Sequence, residues 1–254
     1  MRYHLSVFLA ASLLFCAAAA ALKVGVTAGP HADIAHKISE LAKKQNFNVE
    51  VIEFNDFILP NEALASKDLD MNSYQHEQFL NEQIESRGYK LKAIAKTVVM
   101  PLGIYSTKLT SLKELPNNAK MIIPNDPTNG GRALKLLAKN GVIGINEVAN
   151  PSILDITSNP KNISFVEIEA PLLPRSLPDA DAAVINTDWA LLAGLNPQSA
   201  LVQESKDSPY VNVMVVRAGD ETQDEIQKFR ALYHSPEIRA FIETTYKGAV
   251  IPAW

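Results

Sequence analysis

The sequence predicts an α/β protein of two lobes with a ligand cleft between them. Three observations carry this expectation. Strand-like and helical segments alternate from residue 22 to the C-terminus, the rhythm of βαβ units with parallel sheet. A chain of 254 residues has room for one or two domains of roughly 100–200 residues. Asparagine, histidine and aromatic residues recur in loops that follow strands, where open α/β sheets place their ligands.

Met1–Ala21 has the layout of a secretory signal peptide. Arg2 supplies the positive start, Val7–Phe15 a short apolar core and Ala17–Ala21 the small residues of a cleavage region. The core is too short for a stable membrane anchor, and the competing reading is a buried N-terminal helix. Cys16 is the only cysteine, so no disulfide can form within the chain. Its place at the end of the apolar core also fits a lipoprotein signal, in which Cys16 becomes the acylated N-terminus. Phe15 is large where the lipoprotein peptidase favours a small residue. Removal through Ala20 or Ala21 and lipidation at Cys16 therefore both stay open. No later stretch reaches the ~18 apolar residues of a membrane helix.

Leu22–Ala28 reads as a buried strand that Gly29-Pro30 turns. Ala32–Lys44 has helical apolar spacing, and Asn48–Phe54 alternates as a second strand. Gln75–Arg87 reads as a helix stopped by Gly88. Leu91–Val99 and Leu102–Tyr105 look extended, and Lys120–Pro124 is a short buried strand. A helix from about Thr128 to Lys139 follows it and ends near Asn140-Gly141. Ile163–Ile168 and Asp181–Asn186 read as strands, with a helix through Leu192 after the latter. Val211–Val216 is the last clear strand, before helices at Thr222–Tyr233 and Pro236–Tyr246. Prolines at 171, 174 and 178 mark a connection. The expected division is a signal peptide at 1–21, lobe one at 22–103 plus 213–254, and lobe two at 104–212.

The ligand loops predicted by this order are Thr27–His31, Asn55–Glu62, Asn72–His76, Asn125–Arg132, Asn186–Trp189 and Tyr210–Asn212. In the loop Asn125-Asp-Pro-Thr-Asn-Gly-Gly-Arg132, helix-start N–H groups and glycines suit an anion, and Arg132 offers a planar fork for a carboxylate. The alternative is a capped helix with Arg132 in a surface ion pair. In Asp70–His76, Tyr74 suits an apolar ligand, and Asn72 and His76 suit hydrogen bonding. The alternative there is a helix cap and a satisfied boundary histidine. His31 and His36 do not make a metal pair, because five helical residues at ~100° each turn them apart.

The chain carries 24 Lys and Arg against 28 Asp and Glu, a formal charge of −4 without a basic run, which argues against nucleic acid. There is no Gly-x-Ser-x-Gly elbow. No cofactor motif is present, and the expected state is a monomer.

Several strings resemble one family: Glu53-Phe-Asn-Asp-Phe-Ile-Leu-Pro-Asn-Glu-Ala-Leu64, Asn125-Asp-Pro-Thr-Asn129, Glu169-Ala-Pro-Leu-Leu-Pro-Arg-Ser-Leu177, Ala183-Val-Ile-Asn-Thr187 and Ser208-Pro-Tyr-Val-Asn212. Together, over the chain from Val24 onward, they are similar to the NlpA/MetQ-type methionine-binding lipoproteins. The resemblance implies a type II periplasmic-binding-protein fold and a methionine ABC importer with a permease and an ATPase as partners. It implies a polar clamp of Arg132, Asn186 and Asn212, with Asn72 and His76 in a further motif. It places Tyr74, Met100 and Phe57 around the ligand side chain. Tyr74 stands where the family usually has Phe, Met71 and Ser73 where it has small residues, and Met100 where it has Tyr. These departures bear on ligand choice.

Two other readings remain. One is a binding protein of the same family for a dipeptide or another amino acid. The other is an enzyme on the same fold, for which His76 is the reasonable acid or base. The expected location is the periplasm or cell envelope, with membrane anchoring through Cys16 as an option.

Overall fold

The computed structural model describes residues 21–254. Cys16 and the rest of residues 1–20, read above as a signal peptide, lie outside the described residues.

The elements follow one another as Leu22–Thr27 (β1), Pro30–Lys43 (α1), Val49–Phe54 (β2), Leu59–Ala65 (α2), Met71–His76 (β3), Glu77–Arg87 (α3) and Leu91–Val99 (β4). Then come Gly103–Tyr105 (β5), Lys120–Pro124 (β6), Pro127–Lys139 (α4), Gly144–Ile145 (β7), Ile156–Ser158 (β8) and Ser164–Ile168 (β9). Leu173–Ser176 (α5), Ala182–Ile185 (β10), Thr187–Leu192 (α6) and Val202–Gln203 (β11) complete the middle of the chain. Val211–Arg217 (β12), Asp224–Tyr233 (α7), Pro236–Tyr246 (α8) and Ile251–Pro252 (β13) close it.

These strands form two main sheets. One has six strands in the order β13-β4-β12-β3-β1-β2, and the other five in the order β11-β5-β10-β6-β9. β1 runs parallel to β2 and β3, and β6 parallel to β9 and β10, so their crossovers are helical. Both faces of each sheet are covered. Ile34, Ile38, Phe229, Ile238 and Ile242 pack on one face of the first sheet, and Leu64, Leu69 and Leu80 on the other. Leu134 and Leu137 cover one face of the second sheet, and Leu173, Leu177 and Trp189 the other. Burial on both faces is why the central strands read as apolar runs.

Local chemistry sets the helix starts. Pro30 and Pro127 occupy first-turn positions, where no N–H partner is lost. The Asp126 carboxylate caps α4 by accepting from Asn129 N at 2.9 Å. Gly88 ends α3 at φ 71°, in the left-handed region that glycine enters without strain.

The chain passes between the sheets twice, through Met100–Leu102 and Glu204–Tyr210. The passages are tied together: Glu204 N donates to Leu102 O at 2.9 Å, and Leu102 N to Glu204 Oε2 at 3.0 Å. Gly103 therefore lies in the second sheet, and Val211 and Asn212 in the first, each on the opposite side of the boundary drawn from sequence. The pattern finds the extended segments but not their partners.

Three local expectations are corrected. The loop expected at Asn72–His76 is the wholly buried strand β3, held between β1 and β12. Its polar residues hid it from a hydrophobic pattern. Asn72 donates to Asn61 Oδ1 at 2.9 Å and to Pro60 O at 3.1 Å, while Gln75 exchanges hydrogen bonds with Asn61 at 2.6 and 2.8 Å. The partner Asn61 belongs to α2, a short helix that begins within the segment expected to be a loop at 55–62. The proline-marked connection likewise contains the single turn α5.

Candidate functional site

The ends of β1, β3, β4 and β10 meet the starts of α4, α6 and β12 around one cavity between the two sheets. Its empty volume, including the mouth open to solvent, is about 380 Å³. From the first sheet's side come His31, Phe57, Tyr74, Gln75, His76, Phe79 and Asn212. From the second come Asn129, Arg132, Asn186, Thr187 and Asp188, with Met100 on the passage between them.

Seven of the eight residues expected at the site line this cavity: Arg132, Asn186, Asn212, His76, Tyr74, Met100 and Phe57. Asn72 does not. It is fully buried behind the cavity, in the amide network that holds Gln75. Of the other lining residues, His31, Gln75, Asn129, Thr187 and Asp188 stand in the loops expected to hold the ligand without being singled out there, and Phe79 was missed. Asn129 stands within the Asn-Asp-Pro-Thr-Asn string and was legible there. His31 closes the predicted loop Thr27–His31, and its neighbour His36 instead meets Glu53 at 2.8 Å on the surface.

His76 accepts from Phe79 N through Nδ1 at 3.1 Å. That bond leaves its proton on Nε2, 3.3 Å from Asn129 Oδ1, which therefore accepts. Burial, with the Arg132 charge nearby, pushes the His76 pKa down to about 3, so the ring is neutral. Asn129 Oδ1 also accepts from Asn186 Nδ2 at 2.9 Å, and Asn129 Nδ2 donates to both Asp126 oxygens at 3.0 and 3.1 Å. One asparagine thus joins the helix cap of α4, the start of α6 and the end of β3.

Arg132 is 4% exposed. Its Nε donates to Glu204 Oε1 at 2.8 Å, and its Nη2 donates to Glu204 Oε2 and, at 2.9 Å, to Met100 O. The guanidinium lies 4.4 Å from the centre of the Tyr210 ring, and that ring meets His76 edge to face at 5.2 Å. The fork that the sequence offered to a ligand carboxylate is therefore engaged by a carboxylate of the chain itself. Neither reading drawn from sequence included Glu204, which lies 72 residues away. Of the five guanidinium donors, the two on Nη1 are left outside these three bonds.

The remaining polar groups are unevenly satisfied. Asn212 Nδ2 donates to Val98 O at 3.1 Å, and Thr187 Oγ1 to Pro101 O. Among the described residues, His31 Nδ1 and Asn186 Oδ1 are buried without a hydrogen-bond partner. Burial lowers the His31 pKa to about 3 and raises that of Asp188 to about 6.

Aromatic rings form the apolar part of the wall. Phe57 lies 6.3 Å from Tyr74, 6.1 Å from Phe79 and 5.4 Å from Trp189, ring centre to ring centre. The Tyr74 hydroxyl donates to Phe57 O at 2.8 Å, which fixes that ring. Rings, a thioether, an arginine and several amide groups around one cavity suit a small zwitterion with an apolar side chain.

Comparison with known proteins agrees with this geometry. Residues 22–254 match the family model described as NlpA lipoprotein. The chain is 44% identical over 239 residues to a D-methionine-binding lipoprotein, MetQ, of Salmonella typhi, covering 92% of this chain and 88% of that one. It is 45% identical to a nutrient binding protein from Burkholderia cenocepacia solved bound to methionine, with a TM-score of 0.89 over 92% of this chain and all of the other. An ABC transporter periplasmic substrate-binding protein from Coxiella burnetii is 40% identical, with a TM-score of 0.88 over 91% of this chain and 100% of the other. The two-lobed fold and the family expected from the sequence motifs are thus shown, and the chain belongs to the NlpA lipoprotein family.

Proposed function

We propose that the chain is the exported substrate-binding component of an ABC importer, and that it captures methionine or a related small amino acid in the cavity between its lobes. The observation that carries this reading is one cavity between the sheets in which an arginine, three asparagines and a carboxylate stand beside a cluster of aromatic rings. Relatives named for methionine binding support the choice of ligand.

In this reading Arg132 offers its Nη1 edge to the ligand carboxylate. Asn186, Asn212 and His76 complete the polar clamp, and Phe57, Tyr74 and Met100 hold the side chain. Asn72 acts indirectly by fixing Gln75. Lobe one ends near Val99 and resumes near Val211, and residues 100–102 and 204–210 form the hinge on which the cleft closes. A permease and an ATPase receive the loaded protein. Residues 1–21 direct export to the periplasm or envelope, ending either in cleavage near Ala20 or Ala21 or in a lipid anchor on Cys16.

The reading is of a binder and not a catalyst. Both ring nitrogens of His76 already have partners, Phe79 N and Asn129 Oδ1, and no carboxylate orients the ring. Native mass spectrometry of freshly purified protein should show a bound species of amino-acid mass. Thermal shift with an amino-acid panel should then rank methionine among the strongest stabilisers. A protein that carries nothing and responds to no amino acid is not what we propose.

A further inference from the structure

The charges around the cavity do not balance. Arg132 is neutralised by Glu204, whose carboxylate closes on the guanidinium from behind the cavity wall. His31 and His76 are uncharged, because burial holds both near 3. This leaves Asp188, which lines the cavity and is 5% exposed, without a salt bridge among the described residues, with the already paired Arg132 acting on it only from longer range.

We propose that Asp188 is the counter-ion of the bound amino acid's α-ammonium group, and that it makes a free amino group a condition of tight binding. The inference rests on the amino-acid reading of the cavity and adds the residue that recognises its cationic end. Oδ1 of Asp188 accepts from Trp189 N at 2.9 Å, which fixes the carboxylate while leaving most of its lone-pair positions open. The start of α1 is packed against α6 so closely that a Cβ on Gly29 would sit 3.4 Å from the Asp188 carbonyl oxygen. That packing sets His31, two residues on, on the same cavity wall.

An ammonium group has three N–H donors. Asp188, the unpartnered Asn186 Oδ1 and, with the ring proton on Nε2, the unpartnered His31 Nδ1 offer three acceptor groups on one cavity. A carboxylate buried without a cation is costly, and burial accordingly lifts the Asp188 carboxyl to about 6. A ligand ammonium removes that cost. A ligand that brings only a carboxylate adds a second negative charge to a wall whose arginine is already balanced.

The test is calorimetric titration at neutral pH of the purified, ligand-cleared protein. The probes are methionine and (methylthio)butanoic acid, which is methionine without its amino group. The wild type should bind the deaminated acid at least roughly 30-fold more weakly than methionine. Asp188→Asn should weaken methionine by a similar factor and narrow the gap between the two ligands to a few-fold. An unchanged affinity for methionine in Asp188→Asn, or an equal loss for both ligands, overturns the assignment. If that variant does not fold, equal affinity of the wild type for both ligands overturns it instead. A wild type that binds the deaminated acid but no amino acid would end the amino-acid reading itself, independently of the variant.

Discussion

The guanidinium of Arg132, on α4 of the second lobe, is closed on the carboxylate of Glu204, on the second passage between the lobes. Glu204 also accepts from Leu102 N at 3.0 Å and from Ser208 Oγ at 3.2 Å. One carboxylate therefore ties both passages to the helix that carries the arginine. Such a tie fixes the position of Arg132 and makes it sensitive to how the lobes are set.

Breaking this pair should be costly. Removing one member of a buried ion pair leaves the other charge uncompensated, at about 3–5 kcal/mol. Arg132→Ala should lower the stability of the ligand-free protein by that order in urea unfolding, and weaken methionine by roughly 30-fold or more. The double variant Arg132→Met with Glu204→Leu should recover much of the stability and none of the affinity. Full stability in Arg132→Ala would mean that the pair is solvated in solution.

Acid should destabilise the ligand-free protein. His31 and His76 sit near 3 when folded and near 6.5 when unfolded. The unfolded chain binds more protons between these values, so the contribution is complete above about pH 6.5 and fades as pH falls toward 3. Asp188 acts in the opposite sense: raised to about 6, it binds its proton better in the folded state, so its contribution fades as pH rises from about 4 to 6. Burial also raises Asp126 and lowers His234, so three histidines stand against two aspartates, and the histidines prevail. Melting temperature should fall between pH 6.5 and 4, and His31→Asn should flatten that fall. A melting temperature that rises on acidification would contradict these protonation states.

Tyr74 has two separable roles. Tyr74→Phe keeps the ring but leaves Phe57 O without its donor, at a cost of about 1–3 kcal/mol in stability and little in affinity. Tyr74→Ala removes the wall itself and should weaken methionine more than it weakens glycine. Titration of both variants with both amino acids checks this. Equal losses for the two ligands would show that the ring shapes the cleft without touching the side chain.

Much of this molecule is legible in its amino-acid sequence. Parallel strands buried on both faces leave apolar runs, and proline marks the starts of α1, α4 and α8, so these helices and the strands β1 and β6 follow from local chemistry alone. The strings around Arg132, Asn186 and Asn212 point to the family and to most of the cavity wall, because side chains at strand ends must point into the space between the sheets. Tertiary structure decided the rest. β3 is polar in sequence and central in space, since Asn61, distant in the chain, satisfies Asn72 and Gln75. The sheets to which Gly103 and Asn212 belong depend on hydrogen-bond partners that no local pattern names. Above all, the partner of Arg132 lies 72 residues away, and the charge left over at Asp188 exists only because that pair forms. Periodicity is set by neighbours along the chain, whereas charge balance in a cavity is set by neighbours in space.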